Sequence, residues 1–357
     1  MKIVVAMSGG VDSSVAALKL KKEGHEIIGI TMKTWPSDDC TQTEGRVCCS
    51  LDAVQYARSV AEDIDIPHYV VDFSAEFMRE VRDYFMREYS LGRTPNPCIY
   101  CNSRIKFGLL MKKARELGFD MVATGHYARI VENRGRMVLK EAIEKRKDQS
   151  YFLCGIPGQE MRNILFPIGE MRKSEVREIA KKNNLMSAER RSSQDICFTV
   201  PGSDYREYLD KKGSNGFTPG DMLDTEGKRI GKHRGVASYT IGQRRGLGLG
   251  IHLPLYVVGI DHNKNTVTVG SREKTMKNKI RARLFNWLSD KKPSSGDTYG
   301  VRVRHNGNKA EAFVTMLSQE EVLIEFSEKQ FAPTPGQAAV FYEDDAVFGA
   351  AWIEEVL

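Results

Sequence analysis

The sequence predicts a mixed α/β protein with an N-terminal Rossmann-like domain, a small central domain and an all-β C-terminal barrel. Short apolar runs alternate with helical segments in the first third of the chain, whereas the last third contains closely spaced β-runs. A chain of 357 residues also exceeds what one hydrophobic core usually serves. We place the three domains at residues 1–201, 202–275 and 276–357.

The first third has the alternation typical of a parallel sheet with crossover helices. Strands are predicted at Ile3–Ala6, Ile27–Met32, His68–Phe73 and Met121–Thr124. Helical spacing of apolar residues is found around Val15–Leu20, Val54–Val60, Phe77–Phe85 and Ile105–Leu110. Gly24 and Gly118 are predicted to end helices, and Ser50 and Ser74 to cap them. Strands joined through helices in this way form right-handed crossovers.

The last third predicts a small β-barrel or sandwich, because evenly spaced short strands are stable when few edges stay open. The runs are Leu255–Ile260, Thr266–Val269, Tyr299–His305, Ala310–Leu317, Glu321–Phe326, Ala338–Tyr342 and Ala346–Ile353. Asn306-Gly307 is typical of a type I′ hairpin turn, which needs positive φ at both central positions. The segment from Gly202 to Ile251 is basic, glycine-rich and weakly periodic, so we assign it to the central domain.

Composition excludes several classes of protein. With 41% hydrophobic and 28% charged residues, the chain can bury cores and is not disordered. No apolar run approaches the roughly 18 residues of a membrane span, and Ile3–Met7 is too short for a signal peptide. We therefore expect a soluble, cytoplasmic protein with no membrane partner.

The net charge of +6 is concentrated in two basic runs. Lys228–Arg245 contains no acid, and Arg272–Arg283 contains only Glu273. Such runs are either solvated faces or sites that contact the phosphates of an RNA.

The strongest local motif is the segment Ser8-Gly-Gly-Val-Asp-Ser-Ser14, between the first strand and the first helix. Its glycines allow a tight turn with N–H groups aimed at an anion, and the helix N-terminus adds positive potential. The hydroxyls of Ser8, Ser13 and Ser14 can donate further hydrogen bonds. The motif predicts a phosphate or pyrophosphate site, although a turn that only caps the helix is the simpler alternative. It is not a Walker A loop.

Seven cysteines in a chain with no export signal indicate thiol or metal chemistry rather than a disulfide framework. Cys98 and Cys101 lie in a proline-rich turn before a helix, whose N-terminus would lower the pKa of a thiol. Cys197 belongs to the segment Ser192–Phe198. The other cysteines are interpreted as small core residues: Cys40, Cys48, Cys49 and Cys154.

Ser8–Ser14 resembles the loop of the N-type ATP pyrophosphatases, also called the PP-loop superfamily. Together with both cysteine segments, the chain resembles the bacterial-type tRNA-specific 2-thiouridylases almost from end to end. The matching motifs are Ser8–Ser14, Gly92–Lys106, Ala123–Tyr127, Lys147–Leu153, Ser193–Phe198, Tyr239–Gly248 and Thr334–Gln337.

The resemblance implies that ATP, with Mg²⁺, adenylates the C2 oxygen of the wobble uridine in the tRNA anticodon arm, and that sulfur then displaces AMP. It further implies Cys197 as the persulfide-bearing residue, charged by an upstream sulfur carrier or cysteine desulfurase, and Cys101 as the nucleophile that ends in a disulfide with Cys197. ATP would be held by Ala6, Met7, Ser8, Gly9, Gly10, Val11, Asp12, Ser13, Met32 and Gly125. The target base would face Asn96, Pro97 and Cys98. The tRNA would be contacted by Lys147, Asp148, Gln149, Arg244, Arg245, Arg304 and His305.

Position 98 departs from the family, because many members carry aspartate there and this chain carries Cys98. The set Cys98, Cys101 and Cys197 resembles enzymes that hold an iron–sulfur cluster with one open iron. A cluster-bound sulfide therefore stands as the alternative to the persulfide route.

Two other functions stay open from the sequence. The first is another adenylating amidotransferase or thiolase of the same superfamily, which would not need the basic runs. The second is a non-catalytic RNA-binding metal protein, which would leave Ser8–Ser14 unexplained.

Overall fold

The computed structural model describes residues 1–34, 51–189, 196–199, 205–211, 216–250, 254–290 and 292–357. The chain forms two compact units. The first unit contains Met1–Arg82, Cys98–Asp204 and Asp345–Val347. The second contains Asp83–Pro97, Tyr205–Asp344 and Phe348–Leu357. The domain boundaries predicted between residues 201 and 202 and between residues 275 and 276 stay a prediction.

The first unit is built on a parallel sheet, as predicted. Its strands are β1 (Lys2–Ala6), β2 (Glu26–Lys33), β3 (His68–Asp72), β4 (Met121–Thr124) and β7 (Ile164–Leu165), in the order β3-β2-β1-β4-β7. All four pairings are parallel. Ile3, Val4 and Val5 of β1 are fully buried, which explains why this strand is apolar at successive positions instead of alternating.

Helices connect these strands at the predicted places. They are longer than the apolar repeats from which they were predicted. They are Val11–Lys22, Leu51–Asp63, Ser74–Phe77 extended by the π-helical turn Met78–Arg82, Pro97–Tyr100 extended through Cys101–Leu109 and Leu110–Glu116, and Lys173–Lys182. Shorter helical turns are Lys145–Lys147, Ser150–Leu153, Gly158–Asn163 and Met186–Glu189. Gly24 and Gly118 follow their helices with φ of 80° and 76°, as their predicted role requires.

The predicted cap at Ser74 is wrong by one position. Ser74 is the first residue of its helix, and its N–H donates to the Asp72 carboxylate at 2.9 Å. The cap predicted at Ser50 lies outside the described residues.

A hairpin in the first unit was not predicted. Strands β5 (Ala128–Asn133) and β6 (Arg136–Glu141) pair in antiparallel register through Arg134-Gly135. Both turn residues have positive φ, at 52° and 81°. These are the angles of a type I′ turn. Arginine is not typical at the first position of such a turn, so the sequence did not indicate it.

The second unit contains a four-stranded sheet whose strand order is β10-β11-β8-β9. Its strands are β8 (Gly220–Leu223), β9 (Arg229–His233), β10 (Tyr256–Asp261) and β11 (Thr266–Gly270). Met222, Val257 and Val267 are fully buried in its core. The helical segments of this unit are Asp83–Ser90, Tyr205–Lys211, Val236–Ser238 and Arg272–Thr275.

The C-terminal β-structure closes into a barrel, as predicted, but two of the runs grouped with it, Leu255–Ile260 and Thr266–Val269, belong to the four-stranded sheet instead. The strands are β12 (Met276–Trp287), β13 (Thr298–Arg302), β14 (Ala310–Met316), β15 (Glu321–Phe331), β16 (Ala338–Glu343) and β17 (Ala346–Val356). Their order is β12-β15-β14-β13-β16-β17, and β17 also pairs with β12. Closure leaves no open edge. Ile280, Ile324 and Ile353 are fully buried inside.

Most of the basic run Arg272–Arg283, which the sequence left open as a solvated face or an RNA contact, lies in strand β12. Apolar and basic residues alternate along it, with Ile280 and Ala282 buried. The basic side chains between them form ion pairs: Lys279 with Glu325 at 2.8 Å, and Arg281 with Glu355 at 3.0 Å. Much of this charge is therefore neutralised within the barrel wall.

The type I′ turn predicted at Asn306-Gly307 is wrong. Neither residue has positive φ. The connection between β13 and β14 is longer than a two-residue turn, and the Gly307 N–H donates to the Arg304 carbonyl at 3.0 Å.

Among the described residues, no helix has the length and apolar character needed to cross a bilayer.

Candidate active site

The predicted nucleotide-binding residues gather at one edge of the parallel sheet. Ala6 ends β1 and Met7 follows it, Met32 lies near the end of β2, and Gly125 follows β4. Carboxyl ends of parallel strands share an edge, and β1 lies between β2 and β4 in the sheet. The chain after β1 therefore leaves at the switch point of strand order, where open α/β sheets bind their ligands.

The loop after β1 is shaped by its own hydrogen bonds. Gly9 has φ of 69°, a conformation that favours glycine. The Ser8 N–H donates to the Ser13 hydroxyl at 3.2 Å, and that hydroxyl donates to the Gly10 carbonyl at 3.0 Å. The helix Val11–Lys22 starts directly behind the loop. The loop therefore lies directly before a helix N-terminus, which is the arrangement that the predicted anion site requires.

Ser14 does not take the ligand-binding role that its hydroxyl suggested. The residue is fully buried, and its hydroxyl donates to the Gly10 carbonyl at 3.0 Å. Its hydroxyl therefore stabilises the loop backbone from the buried side.

Gly125 is needed because the backbone of the loop passes close to it. A Cβ at this position would lie 2.6 Å from both the Asp12 carbonyl carbon and the Ser13 nitrogen. Any larger residue would push the end of β4 away from the loop. This contact supports placing Gly125 at the same site as Asp12 and Ser13.

Asp12 is the electrostatic centre of the site. The Lys173 ammonium lies 2.6 Å from each Asp12 carboxylate oxygen, and the Tyr127 hydroxyl donates to Oδ1 at 2.7 Å. Burial raises the pKa of Tyr127, and the negative charge of Asp12 adds to that effect. Burial lowers the pKa of Lys173, although the Asp12 charge opposes the shift.

Sequence reasoning missed Lys173 and gave no role to Tyr127. Lys173 is 161 residues from Asp12 along the chain and begins an ordinary helix, so no local spacing points to it. Tyr127 lies in a segment that the resemblance includes, but its bond to Asp12 depends on tertiary structure.

The predicted tRNA-contacting segment at residues 147–149 is only partly exposed. Asp148 is buried, where its carboxylate accepts from the N–H groups of Ala142 and Ser150 and from the Ser150 hydroxyl. These hydrogen bonds engage the Asp148 carboxylate within the chain, and the tRNA contact implied for this residue stays a prediction. Gln149 accepts from the Tyr127 N–H at 2.9 Å. Its side chain thus supports the tyrosine that binds Asp12, whereas Lys147 is half-buried.

His126 lies next to Gly125 and close to a second cation, Lys106. Its ring nitrogens are 2.7 Å from the Thr124 hydroxyl and 3.3 Å from the Lys106 ammonium. Desolvation lowers the pKa of His126 well below its usual value, and the Lys106 charge adds to that shift.

Cys98 and Cys101 lie one turn apart on the helix that begins at Pro97. The helix starts earlier than predicted, so Cys98 occupies its first turn and Cys101 begins the π-helical segment. Both side chains are half-buried.

Cys154, in contrast, is fully buried, and burial raises the pKa of its thiol far above the usual range. Its prediction as a core residue is confirmed.

Cys197 is half-buried in a short turn closed by Thr199, whose N–H and hydroxyl donate to the Ile196 carbonyl. The neighbouring Phe198 is buried, and its ring lies 5.7 Å from that of Phe77. The helix containing Phe77 packs against the segment that starts with Cys101. One shared element therefore supports both cysteine segments. The described cysteines are thiols, so the implied disulfide is not formed here.

The iron–sulfur alternative gains no support from this arrangement. Within the described ranges, no group of three or more His, Cys, Asp or Glu side chains is placed to hold a metal ion. Cys98, Cys101 and Cys197 all belong to those ranges. Cys40, Cys48 and Cys49 lie outside them.

The remaining predicted contacts belong to the second unit. Asn96 and Pro97 are buried, whereas Arg244 and Arg245 are exposed. Arg304 and His305 are half-buried. The Arg304 guanidinium lies 5.0 Å from the centre of the Phe331 ring and donates to the Phe331 carbonyl at 2.6 Å.

Family models match three parts of the chain. Residues 1–201 match the model described as the tRNA methyl transferase HUP domain. Residues 206–271 match the tRNA methyl transferase PRC-barrel domain, and residues 277–353 match the aminomethyltransferase beta-barrel domain.

Curated relatives extend the similarity over the whole chain. The tRNA-specific 2-thiouridylase MnmA of Geotalea uraniireducens (strain Rf4) is 44% identical over 360 residues, covering 100% of this chain and 96% of the relative. The protein of the same name from Moorella thermoacetica is 45% identical and covers 99% of both chains. The one from Clostridium perfringens (strain 13) is 42% identical over 100% of this chain and 99% of the relative. On this identity and coverage, the chain belongs to the family of the tRNA-specific 2-thiouridylases.

Proposed function

We propose that this protein is an ATP-dependent tRNA-uridine 2-sulfurtransferase that converts the wobble uridine of tRNA to 2-thiouridine. The observation that carries the proposal is the joint presence, in one unit, of a preformed anion loop at Ser8–Ser13 and the two segments bearing Cys101 and Cys197. Family membership supports the same reaction.

The first half of the reaction is adenylation. The C2 oxygen of the uridine attacks the α-phosphorus of ATP, an O–P bond forms, and the bond to the β-phosphate breaks to release pyrophosphate. A carbonyl oxygen is a poor leaving group, and adenylation makes it a good one. The loop supplies N–H donors and a helix N-terminus for the charge on the phosphates. Ala6, Met32 and Gly125 at the strand ends would hold the remainder of the nucleotide.

Mg²⁺ enters as the complex with ATP. Asp12 is the one carboxylate in the loop, and both of its oxygens are engaged by Lys173. The phosphates of ATP would therefore supply most of the metal ligands, which is the usual way in which Mg²⁺ is held with nucleotides.

The second half of the reaction is sulfur transfer. The terminal sulfur of a Cys197 persulfide attacks C2, and the C2–O bond to AMP breaks. The Cys101 thiolate attacks the Cys197 sulfur, so the S–S bond of the persulfide breaks and a Cys101–Cys197 disulfide forms. A thiol reductant then restores both cysteines, and a persulfide donor, such as a sulfur carrier or cysteine desulfurase, reloads Cys197.

Binding of the anticodon arm requires phosphate contacts away from the chemistry. Arg244 and Arg245 are exposed on a glycine-flanked loop, and Arg304 is ordered against Phe331. These side chains, with Lys147 and His305, are the proposed tRNA contacts. Asn96, Pro97 and Cys98 are proposed to face the extruded base.

An enzyme acting on a free nucleotide is a weaker candidate, because it has no use for Arg244 and Arg245. The test compares intact tRNA with uridine monophosphate as substrate, in the presence of ATP, Mg²⁺ and a sulfur source. We expect 2-thiouridine only in the tRNA. Thiolation of the mononucleotide at a similar rate would contradict the proposal.

A further inference from the structure

Cys98 is a thiol to which the reaction described above gives no bond-forming step. It lies three residues before Cys101, the proposed nucleophile, in a Cys-x-x-Cys pair at the start of a helix. Such pairs form and break disulfides reversibly in thiol–disulfide oxidoreductases. Cys98 is therefore a candidate for disulfide chemistry of its own.

Cys98 and Cys101 share the accessible side of their helix. Residues three apart lie on the same side of a helix, and both thiols are half-buried. The residues on the other side, Ile99, Asn102 and Ile105, are buried. Packing therefore holds this helix in place and leaves the two cysteines beside each other where a third thiol can reach them.

The spacing of the two cysteines suits a disulfide. Positions three apart on a helix have Cβ atoms about 5–6 Å apart, and a disulfide needs about 3.5–4.5 Å. Pro97 is the first helical residue, so the pair begins in the first turn. The N–H groups of a first turn have no partner within the helix, and this turn can adjust by about 1 Å. The turn after it is fixed, because the Asn102 amide donates to the Phe152 carbonyl at 2.9 Å.

Cys197 comes from a separate segment of the same compact unit. Its neighbour Phe198 contacts Phe77, whose helix packs against the segment that starts with Cys101. Cys98 is thus fixed beside Cys101 by their common helix, whereas Cys197 shares only a supporting element with it. Once Cys101 has entered a disulfide, Cys98 is the thiol that the chain holds next to it.

We propose that Cys98 is a resolving cysteine, which moves the disulfide left by sulfur transfer away from Cys197. This inference rests on the proposed function, in which the reaction leaves a Cys101–Cys197 disulfide. The Cys98 thiolate attacks the Cys101 sulfur, the Cys98–Cys101 bond forms, and the bond to Cys197 breaks. The electron pair of the broken bond stays on Cys197, which becomes a thiolate. The exchange transfers no net electrons and needs no further reactant.

The exchange frees Cys197 for the next persulfide before a reductant acts. A dithiol then reduces the Cys98–Cys101 bond, so that both cysteines regain their protons and the dithiol becomes a disulfide. In the alternative, Cys98 only faces the target base, and the reductant has to act on the Cys101–Cys197 disulfide itself. The two roles differ in which disulfide exists after one turnover.

The experiment maps the disulfides after one turnover. Protein carrying a persulfide on Cys197 is separated from the donor and mixed anaerobically with tRNA, ATP and Mg²⁺, without reductant. The reaction is quenched with acid, free thiols are alkylated, and the protein is digested with trypsin. Cys98 and Cys101 fall in one tryptic peptide, residues 94–104, and Cys197 falls in another, residues 192–206. Mass spectrometry therefore distinguishes an internal disulfide in the first peptide from a link between the two peptides.

We expect the internal disulfide in most wild-type molecules that have formed 2-thiouridine, with Cys197 alkylated. Cys98→Ser should contain the linked peptides instead. Cys154→Ala is the matched control, because it removes a buried cysteine outside the reaction, and it should give the wild-type pattern. The wild-type result needs no variant, so the test stays decisive even if Cys98→Ser is inactive or does not fold.

Linked peptides as the main product in the wild type would overturn the inference. An internal disulfide that forms equally without tRNA would also overturn it, because that bond would arise from oxidation and not from turnover. Iron and sulfide that copurify with the wild type and are lost in Cys98→Ser would do the same, since Cys98 would then be a cluster ligand. Absence of both disulfides and of 2-thiouridine in the wild type would instead reject the proposed function.

Discussion

Single atoms decide the shape of the candidate site. The loop is fixed by hydroxyl groups that bond to its own backbone, and Gly125 leaves room for that backbone. The residues with the most specific chemistry, Cys101 and Cys197, lie in separate segments that both contact the helix Ser74–Phe77. The chemical role of each cysteine can therefore be tested with a substitution that leaves the fold intact.

Replacing Cys197 with serine should abolish 2-thiouridine formation, because an oxygen cannot carry the persulfide sulfur. ATP affinity should be unchanged. Nucleoside analysis of the tRNA and a nucleotide-binding measurement check the two parts. The matched control is Cys154→Ala, a fully buried cysteine whose loss should leave thiolation intact and lower the stability by about 1 kcal/mol. Thiolation by Cys197→Ser would refute its assignment.

Replacing Gly125 with alanine should weaken ATP binding about tenfold, because the new Cβ would lie 2.6 Å from backbone atoms that cannot yield cheaply. Gly259→Ala is the control, since its Cβ would lie 3.6 Å from Thr268, an ordinary contact. Titration with ATP measures both. A folded Gly125→Ala variant with normal ATP affinity would show that the close contact is irrelevant.

At the scale of elements, strand β12 shows how a charge run can mislead. Its basic residues alternate with Ile280 and Ala282, a period of two that predicts a strand. The high net charge of the run obscured this period of two, so the strand was not predicted. The exposed loop at Arg244-Arg245 has no such alternation, and it keeps the RNA-binding interpretation.

The two basic elements should therefore differ in their effect on tRNA. Arg244→Ala/Arg245→Ala should reduce tRNA affinity and lower the slope of its salt dependence by about 2. Lys279→Gln/Arg283→Gln should change both much less, because Glu325 and Glu354 pair with these residues. Binding measured at several salt concentrations checks this. Equal losses in the two variants would contradict the assignment of the loop.

Most elements of the first sheet and the barrel could be predicted because each repeats a local pattern over many residues. The Arg134-Gly135 hairpin and the turn after β13 could not, since their backbone angles depend on neighbouring strands. The same division holds at the site. Ser8–Ser14 is contiguous and visible in the sequence, whereas Lys173 and Tyr127 reach its Asp12 only through the fold.

For the whole molecule, one buried histidine (His233) and two half-buried ones (His68 and His126) should make folding sensitive to acid. Desolvation lowers the pKa of His68, His126 and His233 in the folded chain. Below the unfolded pKa of about 6.5, the unfolded chain binds protons that these folded histidines do not. Stability should thus be full above pH 6.5 and fall as the pH drops toward the folded pKa values.

Urea unfolding at pH 7.5 and 5.5 measures this loss. We expect a lower midpoint at pH 5.5 and a smaller difference between the two values of pH in His126→Gln. His262→Gln, at an exposed position, is the control and should keep the wild-type difference. Equal midpoints at both values of pH in the wild type would contradict the prediction.

The most direct test of the account as a whole measures 2-thiouridine in tRNA and AMP in the same reaction, with ATP, Mg²⁺ and a persulfide donor. Adenylation at Ser8–Ser13 followed by sulfur transfer from Cys197 predicts one AMP for each 2-thiouridine, and neither product with Asp12→Ala. Formation of 2-thiouridine without AMP would contradict the account.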